Sequence, residues 1–156
     1  MSKSLKRVLA EAEALNLDIE VRHLDSGTTT AQMAADAVGC DVAQIIKSIL
    51  FRVANSEEHV LFLTSGSNRV DPSKASKVSG SPLEKADAAS IRKFTGFAIG
   101  GVSPLGHLNP IRTFLDPDIL TFPEIWAAAG TPHHVFRINP EKLRDAIRPT
   151  VDKFTV

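Results

Sequence analysis

Leu5, Val8, Leu9, Ala12 and Leu15 recur at helical spacing with Lys, Arg and Glu between them, so the first segment reads as an amphipathic helix that Asn16 ends. Ile19 to His23 is short and alternating. Ser26-Gly27-Thr28 turns the chain, and Thr29 with Gln32 three residues on has the form of a capping box. The helix it opens runs to about Val38, with Gly39 as its stop. Asp41 with Gln44 predicts a brief helical turn. Ile45 to Val53 is too β-branched to prefer helix and predicts a central strand. The Asn55-Ser56-Glu57-Glu58 cluster is a turn, and Val60 to Thr64 returns as the second arm of a hairpin. Ser65-Gly66-Ser67-Asn68 then leaves the sheet.

Asp71-Pro72 starts a helix that Gly80 ends, and Asp87 caps another through Phe94 that Gly96 stops. From Ala98 to His107, three glycines and a proline forbid regular structure and predict a shaped loop. Ile111 to Leu115, Glu124 to Ala128 and Val135 to Ile138 are expected as strands, and Asn139-Pro140 opens a closing helix that Pro149 ends. Strands and helices do not alternate strictly, and the hairpin demands antiparallel pairing. The expected fold class is therefore mixed α/β, with a mixed sheet or partly closed barrel rather than a doubly wound sheet.

The chain has 156 residues, 43% hydrophobic and 23% charged, which fits one domain spanning residues 1–156, with no repeat and no linker. Eighteen basic and eighteen acidic side chains cancel, so no global positive field is available for nucleic acid, and any such contact must be local. Apolar runs such as Val60 to Leu63 are far too short to span a membrane. The start of the chain lacks a secretory h-region, and one cysteine allows no disulfide framework, so the expected compartment is the cytoplasm. Without tyrosine and with one tryptophan, the chain also lacks a single-strand stacking platform.

Lys47 is the most unusual placement. In an extended Ile46 to Val53 it shares a row with Ile49, Phe51 and Val53, the more apolar face, which puts an ammonium at a cavity mouth or lets it snorkel from the strand end. The Gly100-Gly101-Val102-Ser103-Pro104 loop offers unpaired backbone N–H groups that can cradle a carbonyl oxygen or a ribose, and it also fits an ordinary turn. It has no P-loop ending. In Gly130-Thr131-Pro132-His133-His134 the adjacent histidines of an extended chain point to opposite faces, so at most one enters a given pocket. With no HExxH pattern and the other histidines scattered, no catalytic metal is expected. Cys40 reads as a small structural residue, Ser103 has no nucleophile elbow, and Asp71, Asp116 and Asp118 read as caps or turn formers.

Taken together, Ile45-Ile46-Lys47-Ser48-Ile49-Leu50-Phe51, Ser65-Gly66-Ser67-Asn68-Arg69-Val70-Asp71, Gly100 to Gly106 and Ala129-Gly130-Thr131-Pro132-His133 resemble, in order and spacing, the YbaK/prolyl-tRNA-synthetase-associated domain family. The resemblance covers about residues 28–147. It implies a curved or barrel-like mixed sheet surrounded by helices. It also implies hydrolysis, in trans, of amino acids wrongly attached to tRNA, mostly proline tRNA, with prolyl-tRNA synthetase as a candidate partner. Lys47 matches the family's functional strand lysine and Gly100 through Pro104 its G-x-x-x-P loop, while His133 falls near a pocket position that varies among subfamilies.

An aminoacyl ester is already activated, and a vicinal ribose hydroxyl can assist attack by water, so the chain needs neither a nucleophile nor a cofactor. On this reading Lys47 positions the substrate, the amides of Gly101 and Val102 stabilise developing charge, and Gly100, Ser103, Pro104 and His133 shape the pocket. Arg69, Lys74 and Lys77 are the local cations for tRNA. The residue pattern leaves open a tRNA-end or small-ligand binding module without turnover, a hydrolase of small acyl esters, and the oligomeric state. Alanine, cysteine, serine, threonine and 2-aminobutyrate esters all remain as substrates, because size alone separates such neighbours poorly.

Overall fold

The computed structural model describes residues 2–25 and 30–156. The turn expected at Ser26-Gly27-Thr28 and the cap at Thr29 lie outside these residues. Local signals set the helices, because the first-turn N–H groups of a helix have no partner within it. α1 (Lys3–Ala14) opens at Ser2, whose hydroxyl accepts the Leu5 N–H, and buries Leu5, Val8 and Ala12. α2 (Ala31–Val38) is capped by Thr30, and Gly39 ends it at a φ of 77°. α3 (Pro72–Ser79), α4 (Ala88–Thr95) and α5 (Pro140–Ile147) open at Asp71, Asp87 and Asn139, each of which accepts a first-turn N–H. Two 3₁₀ turns complete the set: Val42–Gln44, with a capping box from Asp41 and Gln44, and Pro117–Thr121, opened by Asp116.

The strands, in chain order, are β1 (Glu20–His23), β2 (Ile46–Val53), β3 (His59–Ser65), β4 (Leu83–Lys85), β5 (Arg112–Leu115), β6 (Ile125–Thr131), β7 (His134–Ile138) and β8 (Thr150–Val151). They form a three-stranded antiparallel sheet, β1-β7-β6, and a five-stranded mixed sheet, β4-β2-β3-β5-β8. In the larger sheet β2 runs antiparallel to β3 and β4, while β3-β5 and β5-β8 are parallel. The fold is thus mixed α/β, as expected. No barrel closes among the described residues; the two sheets touch through an isolated parallel bridge between Ile45 and Trp126.

Every residue of β3 is buried, which fits a central strand covered on both faces. The largest apolar cluster holds Ile46, Leu50, Leu61 and Leu63 with Leu5 and Val8 of α1 and Phe136 of β7. A further cluster on the opposite face of the sheet gathers Phe62, Phe114 and Phe154, with Ile49, Phe51 and Val53 packed against it. The row containing Lys47 is therefore not the more buried row of β2: Ile46 and Leu50, on the other face, are. Ser48 and Arg52 interrupt that face in the sequence, so its apolar pattern is the weaker of the two although packing buries Ile46 and Leu50. No helix among the described residues is long and apolar enough to cross a membrane.

Candidate active site

Where the sheets splay apart beyond the Ile45–Trp126 bridge, they leave a cleft of about 680 Å³. One wall is the start of β2, from Ile46 to Ile49, and another is β6 and β7 at Trp126, Ala127, Ala128 and Val135. Thr30 and α2 form a third side, and Ile99, Gly100 and Val102 of the long loop close the fourth. Lys47 is the sole ionisable side chain among the described residues lining it, so the walls hold no carboxylate, imidazole or thiol.

The β2–β3 register pairs Lys47 with Thr64 and Ile46 with Ser65, so the lysine and the Ser65-to-Asn68 turn emerge at the same end of the hairpin. The Lys47 ammonium donates to the Asn68 carbonyl oxygen, which leaves two of its three hydrogens for a ligand. Partial burial, reinforced by repulsion from Arg69 and opposed by Asp116, lowers its pKa below the ordinary lysine value. The turn is drawn in tightly by Gly66, whose N–H donates to Ile45 O at 2.7 Å, and by Ser65 Oγ, which donates to Ala43 O at 2.7 Å.

The Gly100-to-Pro104 loop divides the roles expected of it. Gly100 and Val102 line the cleft; Gly101, Ser103 and Pro104 do not. The Gly101 N–H donates to Ala98 O at 2.9 Å, so its amide is not a free donor, and a Cβ at Gly101 would come within 2.8 Å of the Thr131 backbone. Gly101 is there for close packing on β6. The Val102 N–H has no acceptor among the described residues. Ser103 is fully buried and its Oγ accepts the Leu105 N–H at 3.1 Å, so its hydroxyl serves the loop and not the cleft. The loop is latched to α1: Arg7 donates to Gly106 O at 3.0 Å and to Gly96 O at 2.7 Å, while Glu11 accepts the Gly106 N–H at 3.0 Å.

His107 Nε2 lies 2.6 Å from Ser103 O, which can only accept, so Nε2 carries the proton and Nδ1 is bare. That Nδ1 is buried without a hydrogen-bond partner. Burial pushes the pKa of His107 down to about 4.

His133 is exposed on the β6–β7 turn, outside the cleft lining, with its Nδ1 3.2 Å from Leu24 O. The expectation that His133 and His134 diverge is not met: His23 stacks on His133 at 6.3 Å and meets His134 edge-on at 4.9 Å. The two residues sit at a tight turn, not in an extended run, and the turn brings both rings to one side. No group of three His, Cys, Asp or Glu among the described residues is arranged to hold a metal ion. Cys40 lies outside the cleft, and burial with the nearby Asp41 raises its thiol pKa, which opposes a nucleophilic role. Sequence reasoning missed Trp126, Ser48 and Gln32 as cleft residues. The lone tryptophan was the available signal.

The sequence pattern of the aminoacyl-tRNA editing domain matches residues 25–146. The chain belongs to that family. A solved protein described as a candidate trans-editing enzyme for prolyl tRNA synthetase is 41% identical, with a TM-score of 0.92 over 100% of this chain and 99% of that one. EbsC of Enterococcus faecalis, named as a candidate Cys-tRNA(Pro)/Cys-tRNA(Cys) deacylase, is 25% identical over 115 residues, 73% of this chain and 70% of its own. YwhH of Bacillus subtilis, an uncharacterised protein, is 25% identical over 142 residues, 91% of this chain and 90% of its own. All the cleft-lining residues fall inside the matched editing-domain segment, whereas α1, which latches the loop, precedes it. Membership of the editing-domain family, with these relatives, supports a deacylase-type role on charged tRNA.

Proposed function

We propose that the chain is a trans-acting deacylase that hydrolyses the ester of a mischarged amino acid, with proline tRNA as the first substrate to test. The observation that carries this reading is the composition of the cleft: mostly apolar walls, one lysine and the loop amides of Gly100 and Val102 without an acceptor among the described residues, with the hydroxyls of Thr30 and Ser48 but no histidine, cysteine or carboxylate to activate them. Such a site cannot run a Ser-His-Asp or Cys-His mechanism, but it suits an ester that brings its own assistance. Water adds to the ester carbonyl carbon, the vicinal ribose hydroxyl relays the proton, and the C–O bond to the ribose breaks as that oxygen is protonated. The Lys47 ammonium orients the substrate through a phosphate, ribose or carbonyl oxygen, and the Val102 N–H meets the developing oxyanion. Gly100 lets the ligand approach the main chain. Gly101, Ser103 and Pro104 act by holding that loop in shape, and His133 stands at the outer end of β6, where a longer substrate passes. Prolyl-tRNA synthetase is the natural source of the mischarged tRNA and the first partner to test.

The test is deacylation of proline tRNA charged separately with alanine, cysteine, serine, threonine, 2-aminobutyrate and proline. One or more noncognate esters should be cleared while the proline ester persists, and Lys47→Met should slow the reaction by about 100-fold or more without changing the circular dichroism spectrum. Absence of turnover from folded protein on every ester would sink the reading.

A further inference from the structure

Lys47 alone does not explain how its flexible four-carbon side chain is kept at one place in the cleft, since a free lysine samples many rotamers. Its anchor is a backbone oxygen, Asn68 O, on a turn outside the sheet ladder. The Asn68 side chain is itself held. Its Nδ2 donates to Asp116 Oδ2 at 2.8 Å and to Asp118 Oδ2 at 2.8 Å, so both amide hydrogens are engaged and the orientation of the amide is fixed by its two anionic neighbours. Asp116 is buried, and its carboxylate also accepts N–H groups from Ser65 at 3.1 Å and Asp118 at 3.0 Å. No salt bridge reaches Asp116 among the described residues, so donors on the turn and the 3₁₀ segment at Pro117–Thr121 stabilise a buried anion a short way behind the ammonium.

We propose that Asn68, clamped between Asp116 and Asp118, is the positioning residue for Lys47: the two carboxylates fix the turn, and the turn's carbonyl fixes the ammonium in the cleft. The consequence for catalysis rests on the deacylase reading above, whereas the clamp itself does not. Asp116 and Asp118 are therefore more than the turn formers their sequence context predicts. Asn68→Ala keeps the carbonyl but removes both carboxylate bonds, and Asp118→Ala removes one of them at an exposed position.

Two measurements test this. In the first, nitrogen-15 relaxation of the lysine ammonium groups compares Lys47 with the exposed Lys142 in each protein. Lys47 should be more ordered than Lys142 in the native chain, should lose that order in Asn68→Ala, and should lose part of it in Asp118→Ala. Equal mobility of Lys47 in all three proteins overturns the clamp whether or not the chain is a deacylase. The second is a double-mutant cycle on turnover. Asn68→Ala should lower kcat by about tenfold with less effect on KM, and Asn68→Ala with Lys47→Met should be no slower than Lys47→Met alone. Additive losses would make Asn68 a merely structural residue and overturn the proposal. Should the native chain turn over no ester, the deacylase reading falls and the relaxation comparison alone decides the clamp.

Discussion

At the scale of single residues, His107 and Lys47 meet burial in opposite circumstances. The lysine is partly buried but keeps a hydrogen-bond acceptor at Asn68, so it can remain an ammonium. His107 is far more enclosed, packed edge-on against Phe97 at 5.2 Å, and no carboxylate answers its ring. It therefore stays neutral, with a pKa of about 4 against 6.5 for a free imidazole. The unfolded chain takes up a proton as pH falls through 6.5 while the folded chain does not, so stability is present above 6.5 and is lost between there and about 4. The full loss amounts to at most about 3 kcal/mol. Urea midpoints measured across that range should show the loss in the native chain. His107→Phe keeps the ring packing but cannot be protonated, so its profile should be flatter; an equal slope in both proteins would mean that the imidazole is not the group responsible.

At the scale of elements, the cleft depends on how closely the Ser65-to-Asn68 turn lies against the 3₁₀ turn at Val42–Gln44. A Cβ at Gly66 would collide with the Val42 carbonyl oxygen and reach 3.1 Å from both Ile45 O and the Ala31 side chain. Two of the three obstacles are backbone atoms, which cannot swing away. Gly66→Ala should therefore cost about 2 kcal/mol in urea unfolding and should also depress turnover, since Asn68 lies two residues further on. A variant as stable and as active as the native chain would show that the two turns have slack.

The same element scale explains what was legible beforehand. Asp71-Pro72, Asp87 and Asn139-Pro140 announced their helices, and Gly39, Gly80 and Gly96 their ends, because capping is a contest among neighbours in sequence. Lys47 and the glycine loop stood out for a similar reason: each breaks the pattern of its own segment. β4 and β8 were invisible, having three and two residues and no identity apart from the partners they pair with. Asn68 could not be singled out either. Its function comes from Asp116 and Asp118, 48 and 50 positions away, and nothing in Ser65-Gly66-Ser67-Asn68 points to them. Likewise Gly101 looked like an amide donor until its Ala98 bond and its fit against Thr131 fixed it as a packing residue.

For the whole molecule, zero formal charge means that a large polyanion is not drawn in by a general field, so its affinity must come from a few placed cations. Arg69 is exposed directly beside Asn68, and α3, which follows, carries Lys74 and Lys77 one turn apart on its exposed side. Lys74 Nζ is held by Thr155 O at 3.0 Å, so this cation is placed, not free to wander. A tRNA end seated in the cleft at Lys47 would lead its backbone past this face. Three phosphate contacts release few counterions, so log affinity for tRNA should fall against log salt with a slope of only about 2 to 3. Binding can be followed through Trp126, which is the chain's single tryptophan and lines the cleft. Lys74→Glu with Lys77→Glu should weaken tRNA binding and flatten that slope, yet leave hydrolysis of a short aminoacylated acceptor-end oligonucleotide nearly unchanged, because neither lysine lines the cleft. If the double variant binds tRNA with the native slope, the nucleic acid leaves the cleft in another direction, and the cations that hold it are to be sought along β1 and β7 at Arg22 and Arg137, whose guanidinium groups lie 4.7 Å and 6.0 Å from the Trp126 ring.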